Sequence, residues 1–245
     1  MRFLLAAVAF TVCVPAKADD AAKALVEKAV KAQGFKPGDK ASPMTWKDKG
    51  TFSAMGLKME YTGDWTFEGP DKYRFAIDAD FGGMKMTFTV GVSGAKAWQS
   101  AMGQTEDITA DKLEYTLNET YQLHVLTLLP LLAEKEFKLT ATDGKDVGTK
   151  KTKGVKVARE KRPEIHLYFD ADTGLLAKAE MKAKDEFQGW KEVQDELFFD
   201  EYTTVNGKKM FGKMRIVRDG KPLIESVHSG YAWPAKIDAK MFEKP

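Results

Sequence analysis

Three histidines are the residues of this sequence best suited to proton transfer or metal binding, but their positions favour neither. His124, His166 and His228 lie far apart in the chain, and none has a second ligand at the spacing of a common metal site. His124 lies in an apolar segment and His166 in a predicted strand, where a structural role is more common than ligation. We therefore predict no metal site and no cofactor.

The segment Gly91-Val92-Ser93-Gly94-Ala95 comes close to the GxSxG motif of hydrolases. Ala95 stands where the motif has its last glycine, and the segment joins two predicted strands, whereas the motif requires a strand followed by a helix. No GxGxxG or P-loop motif is present. The sequence therefore predicts no catalytic residue and no enzyme. An enzyme with an unrecognised carboxylate site is the weakest of the alternatives.

Residues 1–18 have the pattern of a cleavable signal peptide. Arg2 precedes an apolar run over 3–14, and Ala16-Lys17-Ala18 has the small-x-small pattern that favours cleavage before Asp19. The apolar run is too short to span a bilayer. Cys13 is not preceded by a lipobox, so we expect it to be removed and the mature chain to contain no thiol. We predict export to the periplasm, with secretion as the alternative.

The predicted mature chain carries no net charge that would attract a strongly charged partner. Losing Arg2 and Lys17 with the signal peptide reduces 38 basic residues to 36, equal to the 36 acidic residues. A balanced chain creates no long-range field that would attract nucleic acid or an anionic membrane. No low-complexity linker divides residues 19–245, so we predict a single domain and a monomer.

An amphipathic helix is predicted directly after the cleavage site. Asp19 and Asp20 can cap it, and Gly34 can end it. Its apolar stripe has helical spacing and small side chains, which is typical of a helix that packs on a sheet. The stripe consists of Ala22, Leu25, Val26, Ala29 and Val30.

Between Met59 and Val92, large apolar residues alternate with polar ones through three successive runs. Gly69-Pro70-Asp71 and Gly82-Gly83 separate the runs, which predicts antiparallel hairpins. Successive strand side chains point to opposite faces, so the alternation gathers the bulky groups on one face. The second half repeats this pattern more weakly. In all we predict about ten or eleven strands in a curved, incomplete antiparallel β-barrel.

A different segment, residues 109–132, separates the two halves. Thr109 can cap a helix that continues into an almost entirely apolar stretch from His124 to Leu132, broken by Pro130. A helix that is apolar on every side must be buried. We therefore interpret the segment as a lid over the concave side of the sheet. The predicted lid side chains are Leu113, Leu117, Tyr121, Val125, Leu126, Leu128, Leu129 and Leu132.

The bulky face of the sheet predicts an apolar cavity that holds an acyl chain. Methionine and aromatic side chains repack easily around irregular ligands. A permanently open cavity of ~400 Å³ would cost on the order of 10 kcal/mol, so we expect the lid to fill it between ligands. The predicted wall consists of Trp65, Phe67, Tyr73, Phe75, Phe81, Met84, Met86, Phe88, Trp98, Leu167 and Phe169. The alternative is that these residues form a filled core in a non-catalytic structural or protein-interaction module.

Five segments resemble the LolA/LolB superfamily of periplasmic lipoprotein carriers and sorting proteins. Thr45–Phe52 is similar to its first strand, and Gly69–Phe75 to its RP-x-x-F/Y-R turn. Asp170–Leu176 is similar to its D-x-x-T-G-L hairpin. Tyr202–Gly207 and Met241–Pro245 are similar to its Y-x-x-V-x-G and F-x-x-P elements.

The resemblance covers most of the mature chain and implies a half-barrel with an N-terminal helix, lid helices and an apolar cavity. It implies lipid or lipoprotein cargo and envelope membrane proteins as donor or acceptor. Two departures concern function more than fold. The family has an arginine before the turn proline, and that arginine is implicated in cavity opening; this chain has Gly69 instead. Met210-Phe211-Gly212 lacks the proline that is usual after the family's late turn.

Overall fold

The computed structural model describes residues 20–81 and 83–245, and for Phe81 only the backbone. The predicted signal peptide, Cys13 and the Asp19 cap lie outside the described residues. The helices are α1 (Asp20–Ala32), α2 (Ala110–Leu126) and α3 (Leu129–Ala133). None of these described helices is long and apolar enough to cross a membrane.

Fifteen strands are present in the described part of the chain. The first six are β1 (Met44–Ala54), β2 (Leu57–Phe67), β3 (Lys72–Phe81), β4 (Met84–Ser93), β5 (Lys96–Ala101) and β6 (Gln104–Ile108). After the helices follow β7 (Lys138–Thr142), β8 (Thr152–Ala158), β9 (Ile165–Asp170), β10 (Leu176–Asp185), β11 (Lys191–Asp200), β12 (Thr203–Val205), β13 (Lys208–Met210), β14 (Lys213–Arg218) and β15 (Lys221–Ala232). Short 3₁₀ helices lie at Glu186–Gln188 and Ala239–Phe242.

One antiparallel sheet contains all the long strands, in the order β6-β5-β4-β3-β2-β1-β15-β14-β11-β10-β9-β8-β7. Each half is a meander, and the halves join where β1 pairs with β15. The edges β6 and β7 are not paired to each other, so the curved sheet stays open. This confirms the predicted incomplete barrel. The predicted strand count was too low, because β6, β7 and β12 were missed, and because one strand, which the Asn206-Gly207 and Asp219-Gly220 turns predict over residues 208–218, is divided between β13 and β14.

The alternating pattern places the aromatic side chains on the concave face. In register across four strands, Trp46 faces Trp65, Trp65 faces Phe75, and Phe75 faces Val90. The ring centroids of Trp46 and Trp65 are 5.7 Å apart, and those of Trp65 and Phe75 are 4.9 Å apart. Such cross-strand pairs are the unit from which a sheet gains stability.

The N-terminal helix α1 packs on β7, β8 and α3 and so covers the C-terminal half of the concave face. Four residues of its predicted stripe are fully buried, namely Ala22, Val26, Ala29 and Val30, while Leu25 is partly buried. The helix is followed by Gly34, which has φ +84° and lies so close to the Gly207 carbonyl that a Cβ would clash. Glycine at this position therefore both ends the helix and permits the close approach.

The predicted lid consists of two helices, but the break between them precedes Pro130. Leu128 adopts a left-handed conformation with φ 64°, and α3 begins at Leu129. Pro130 lies in the first turn of α3, where its missing N–H costs no helical hydrogen bond. The predicted break at Pro130 is therefore confirmed: proline cannot continue α2 beyond Leu126, but it fits the first turn of the next helix.

Candidate ligand-binding cavity

An open cavity of about 1440 Å³ lies between α2 and the concave face, largely over the N-terminal half, and reaches Met181, Ile216 and Ile224 of the C-terminal half. Its sheet side in the N-terminal half is apolar. This wall includes Phe52, Met59, Tyr61, Trp65, Tyr73, Phe75, Ile77, Met86, Phe88 and Val90. The volume also includes a polar extension to Lys145, Tyr168 and Glu180, whose register places them on the opposite face of the sheet.

Five of the predicted wall residues line this cavity together. They are Trp65, Tyr73, Phe75, Met86 and Phe88. The rings of Phe75 and Phe88 are 5.9 Å apart, and Phe75 is also 5.6 Å from Tyr73. The aromatic groups therefore form one continuous surface across β2, β3 and β4, with most of its members only half-buried because they face the cavity.

The other predicted wall residues lie elsewhere. Phe67, Leu167 and Phe169 are on the concave face but are buried beneath the helices. Trp98 is on the convex face, where its Nε1 donates a hydrogen bond to the Phe242 carbonyl at 2.8 Å. Met84 is 60% exposed at a hairpin turn. The side chain of Phe81 lies outside the description.

Of the predicted lid residues, Tyr121 reaches the cavity. Val125, Leu128 and Leu129 are buried against α1 and the C-terminal half of the sheet, with Leu126 and Leu132 partly buried beside them. Leu113 and Leu117 pack on the buried cluster of the N-terminal half. The apolar lid side chains thus anchor the helices, and the cavity roof is formed by other residues of α2.

These other roof residues are polar and were missed by the sequence analysis. They are Lys112, Glu114, Tyr115, Thr116, Asn118, Glu119 and Gln122. Leu113, Leu117 and Tyr121 mark the apolar face of α2 by their helical spacing, and the polar roof residues lie on the adjacent face. This spacing was the sequence signal that could have identified the roof. The cavity therefore has an apolar floor and a polar roof, which is the arrangement an amphiphile requires.

Arg218 of β14 lies between the sheet and the roof, where it interacts with Tyr115 of α2. The Arg218 guanidinium donates two hydrogen bonds to Asp195, each of 2.8 Å, and its side chain is only 10% exposed. Asp185 is 3.8 Å from the same guanidinium. Asp195 holds the pKa of Arg218 well above its ordinary value, although burial opposes the charge. This pair is a bidentate, charge-assisted contact of the strong kind.

Glu119 of α2 faces this group across the cavity. Burial raises its pKa to about 7, while Tyr115 and Arg218 act in the opposite direction. The nearby carboxylates of Glu186 and Asp195 raise it further. Glu119 is therefore the roof residue whose charge changes near neutral pH.

A second buried polar group lies beneath the cavity floor. Asp48 accepts hydrogen bonds from the Tyr61 hydroxyl at 2.9 Å and from Trp65 Nε1 at 2.6 Å. Burial raises the pKa of Asp48 despite these donors. His228 contacts the Ser226 hydroxyl at 2.9 Å, and burial lowers its pKa to about 4. Because Asp48 is committed to Tyr61 and Trp65, it does not orient His228, and these residues do not form a Ser-His-Asp triad.

The remaining histidines are also accounted for. Nε2 of His124 is 2.6 Å from Glu134, which in turn accepts a hydrogen bond from Arg159 at 3.0 Å. Burial lowers the pKa of His124. His166 borders the polar extension of the cavity volume. Among the described residues, no cluster of His, Cys, Asp or Glu is arranged to hold a metal ion.

Ion pairs connect α2 to the end of β10 at the mouth of the cavity. Lys184 lies 3.1 Å from Glu114, and Lys112 lies 3.2 Å from Glu186. We call these four residues the mouth clasp. All four are partly exposed, so each pair contributes little to stability on its own. Their position, joining the roof helix to the sheet, matters more than their strength.

The sequence itself matches no protein-family model and no curated protein. Solved structures do match in fold. A LolA superfamily protein from Nitrosomonas europaea has a TM-score of 0.59 at 9% identity, over 91% of this chain and 97% of the other. A DUF1329 family protein from Desulfovibrio piger has a TM-score of 0.56 at 14% identity, over 91% and 97%.

A third neighbour is a putative outer membrane lipoprotein-sorting protein domain from Vibrio parahaemolyticus. It has a TM-score of 0.53 at 8% identity, over 90% of this chain and 97% of the other. All three neighbours extend over both halves of the sheet and the helices between them. At these identities the likeness concerns the backbone path alone. The chain therefore has the fold of the LolA superfamily, as its turn and strand motifs imply.

Proposed function

We propose that this protein binds the acyl chain of a lipid or lipid-anchored protein in the cavity beneath α2, without catalysing a reaction on it. The observation that carries the proposal is the continuous aromatic surface of Trp65, Phe75 and Phe88, which is half-buried and faces the apolar part of a cavity whose total volume is about 1440 Å³. A folded protein usually covers such a surface with its own side chains. Here the chain leaves it accessible to a ligand.

Size and energy both suit an acyl chain. The total volume exceeds the ~300–1,000 Å³ of a common small-molecule site, so the part beneath α2, without the polar extension, has room for a long acyl chain. Burying such a chain gains about 0.8 kcal/mol per CH₂, or on the order of 10 kcal/mol before entropy costs. Because the cavity opens to solvent, it avoids the penalty of a closed dry void, and no lid leucine has to fill it.

The polar roof suits the other end of an amphiphile. Asn118, Gln122 and Glu119 lie on the cavity side of α2, opposite the aromatic floor. They offer hydrogen-bond donors and acceptors to ester, amide or hydroxyl groups next to the acyl chain. The apolar floor supplies most of the affinity, while the roof sets the orientation of the ligand.

The neighbours in fold support this choice of ligand and place. One is described as a LolA superfamily protein and another as a putative outer membrane lipoprotein-sorting protein domain. We infer a location in the cell envelope, which agrees with the signal peptide predicted over residues 1–18. Transfer of the cargo between membrane proteins is the further step that this family likeness suggests.

Ligand capture tests the proposal directly. Protein purified from its native host should release lipid on organic extraction, identified by mass spectrometry. The purified protein should also bind dansylaminoundecanoic acid with a rise in dansyl fluorescence. Ala79→Trp places an indole in the cavity and should weaken binding at least about tenfold, because it removes volume from the apolar floor.

Asp78→Trp is the matched control. It adds the same indole to the neighbouring position of β3, where the side chain is exposed on the opposite face. This variant should bind the probe as the parent protein does. Equal affinity of the two variants, or a parent protein that neither carries lipid nor binds the probe, would contradict the proposal and favour a structural or protein-interaction module.

A further inference from the structure

Large apolar side chains are exposed mainly at hairpin turns. Among the described residues, seven large hydrophobic side chains are classed as exposed, and five of them lie at or beside a turn between consecutive strands. These five are Met55 at 72%, Leu57 at 57%, Met84 at 60%, Met102 at 78% and Phe187 at 43%. We call them the apolar rim. The other two are Val227 and Met241.

The strand order brings all five to one end of the sheet. Adjacent strands are antiparallel throughout, so the β1–β2, β3–β4 and β5–β6 turns lie at the same end. On the other side of β1, the neighbouring strands β15, β14 and β11 alternate in direction. As a result β11 begins at this same end, and the β10–β11 turn lies there too. The rim therefore follows the sheet from its N-terminal edge well into its C-terminal half.

This end is also the mouth of the cavity. Met55, Leu57 and Phe187 belong to both the apolar rim and the cavity lining, and Phe187 packs on Phe52 with ring centroids 5.9 Å apart. The opposite end of the N-terminal half has a different composition. Its turns are Glu68–Lys72 and 93–96, and they expose no large apolar side chain among the described residues.

The charges beside the rim suit a membrane surface. Exposed Lys58 and Lys85 directly follow Leu57 and Met84. Two acids also lie beside the rim: Asp80 accepts a hydrogen bond from the Gly83 amide at 2.6 Å, and Glu186, next to Phe187, pairs with Lys112 at 3.2 Å. Lysines flanking apolar side chains are typical of segments that enter the interface of an anionic bilayer. The balanced charge of the whole chain means that apolar contact, rather than long-range attraction, has to dominate.

We propose that the apolar rim docks the cavity mouth on the surface of a lipid bilayer. The choice of a bilayer rests on the proposed function, because a bilayer is the source of acyl chains and the rim is continuous with the cavity that would receive them. A docked mouth lets an acyl chain pass from the membrane to the aromatic floor without crossing water. Met55, Met84 and Met102 occupy three separate turns, so each can enter the headgroup region independently.

Flotation with vesicles tests this proposal. The protein should float with phosphatidylcholine vesicles that contain about one third phosphatidylglycerol, and more weakly with phosphatidylcholine alone. The double variant Met84→Ser, Met102→Ser changes rim residues that do not line the cavity and should lower the partition coefficient at least about fivefold, because two apolar insertions are lost. The matched control, Val227→Ser with Met241→Ser, removes the exposed apolar side chains away from the rim and should float like the parent protein.

Two readouts separate this proposal from the proposed function. The double variant should still bind soluble dansylaminoundecanoic acid, whereas Ala79→Trp should lose that probe and still float. A double variant that floats like the parent overturns the docking proposal. So does a parent protein that fails to float with either vesicle, and the rim would then suit a protein partner instead. Circular dichroism spectra identical to the parent's would show that the variants are folded.

Discussion

The two halves of the concave face have the same kind of apolar side chain but differ in what covers them. In the C-terminal half, Val155, Leu167 and Phe169 are buried under α1, the end of α2 and α3. In the N-terminal half, Phe75 and Phe88 face an open cavity. Strand periodicity thus determines which face is apolar, while the positions of the helices determine whether that face becomes a core or a binding site.

The lid helix shows the same division along its own length. Its last turns are apolar and join the filled half through Val125. Its first turns place Lys112 and Glu119 over the open half, where they line the cavity. One continuous helix therefore packs as core on its apolar side, through Leu113 and Leu117 in the N-terminal half as well, and forms a polar roof on the adjacent side. The predictions below test this division in order of decreasing effect.

The largest difference should come from a matched pair of truncations. Phe169→Ala removes a side chain that is 2% exposed in the filled half and should cost about 3–5 kcal/mol of unfolding free energy. Phe75→Ala removes a half-buried side chain in the open half and should cost only about 1–2 kcal/mol while weakening probe binding. Urea unfolding measures both. Equal losses would mean that the two halves are packed alike.

Breaking the Arg218 contact should have the next largest effect. Arg218→Met leaves Asp195 and Asp185 without their shared cation and should destabilise the fold by about 3 kcal/mol. The double variant Arg218→Met, Asp195→Asn should recover part of this loss, since the unpaired charge at position 195 is gone. Chemical denaturation of the four proteins in the cycle gives the coupling. A loss below about 0.5 kcal/mol would show that the pair is merely a surface contact.

The charge of Glu119 should make stability depend on pH. Its folded pKa of about 7 lies above the ordinary value of 4.5, so the folded protein holds an extra proton between these values. Stability contributed by the neutral carboxyl is therefore lost as the pH rises through this window. Glu119→Gln keeps the neutral form, and its stability relative to the parent should rise by up to about 2–3 kcal/mol from about pH 5 to about pH 8. A constant difference across this range would contradict the raised pKa.

The mouth clasp should have the smallest effect on stability and a measurable effect on access. Lys184→Ala breaks the pair with Glu114 and should change the unfolding free energy by less than about 1 kcal/mol. The rate of probe uptake, measured by stopped-flow fluorescence, should rise about twofold because the roof is held less firmly. Lys47→Ala is the control, since Lys47 pairs with Asp64 at 2.9 Å and neither residue lines the cavity. Equal rates for both variants would exclude a gating role for the clasp.

Much of the backbone fold followed from patterns in the sequence. The helix that became α1 and the hairpins from Met59 to Val92 were predicted from their periodicity and their turns, because both signals are local. The strand β6 was missed since its sequence Gln104–Ile108 is polar except for the last residue. The break between β13 and β14 at Phe211-Gly212 was missed because apolar residues continue across it.

The site was harder to predict because it depends on contacts between distant segments. Trp98 illustrates the limit: both Ala97 and Trp98 are buried in a short strand, so alternation alone does not indicate which face each occupies. Leu167 was assigned to the correct face, yet the helices above it make it part of the core. The polar roof residues, such as Asn118, carry no apolar signal at all and became visible only from the placement of α2.

The seam between β1 and β15 has a consequence for folding kinetics. Asp48 pairs with His228 and Phe52 with Ile224, so the centre of the sheet joins segments from opposite ends of the described chain. Each meander can form from local hairpins, but this pairing requires closure of a very long loop. We expect refolding to be slow, roughly milliseconds to seconds, with the two meanders gaining protection from hydrogen exchange before the seam does.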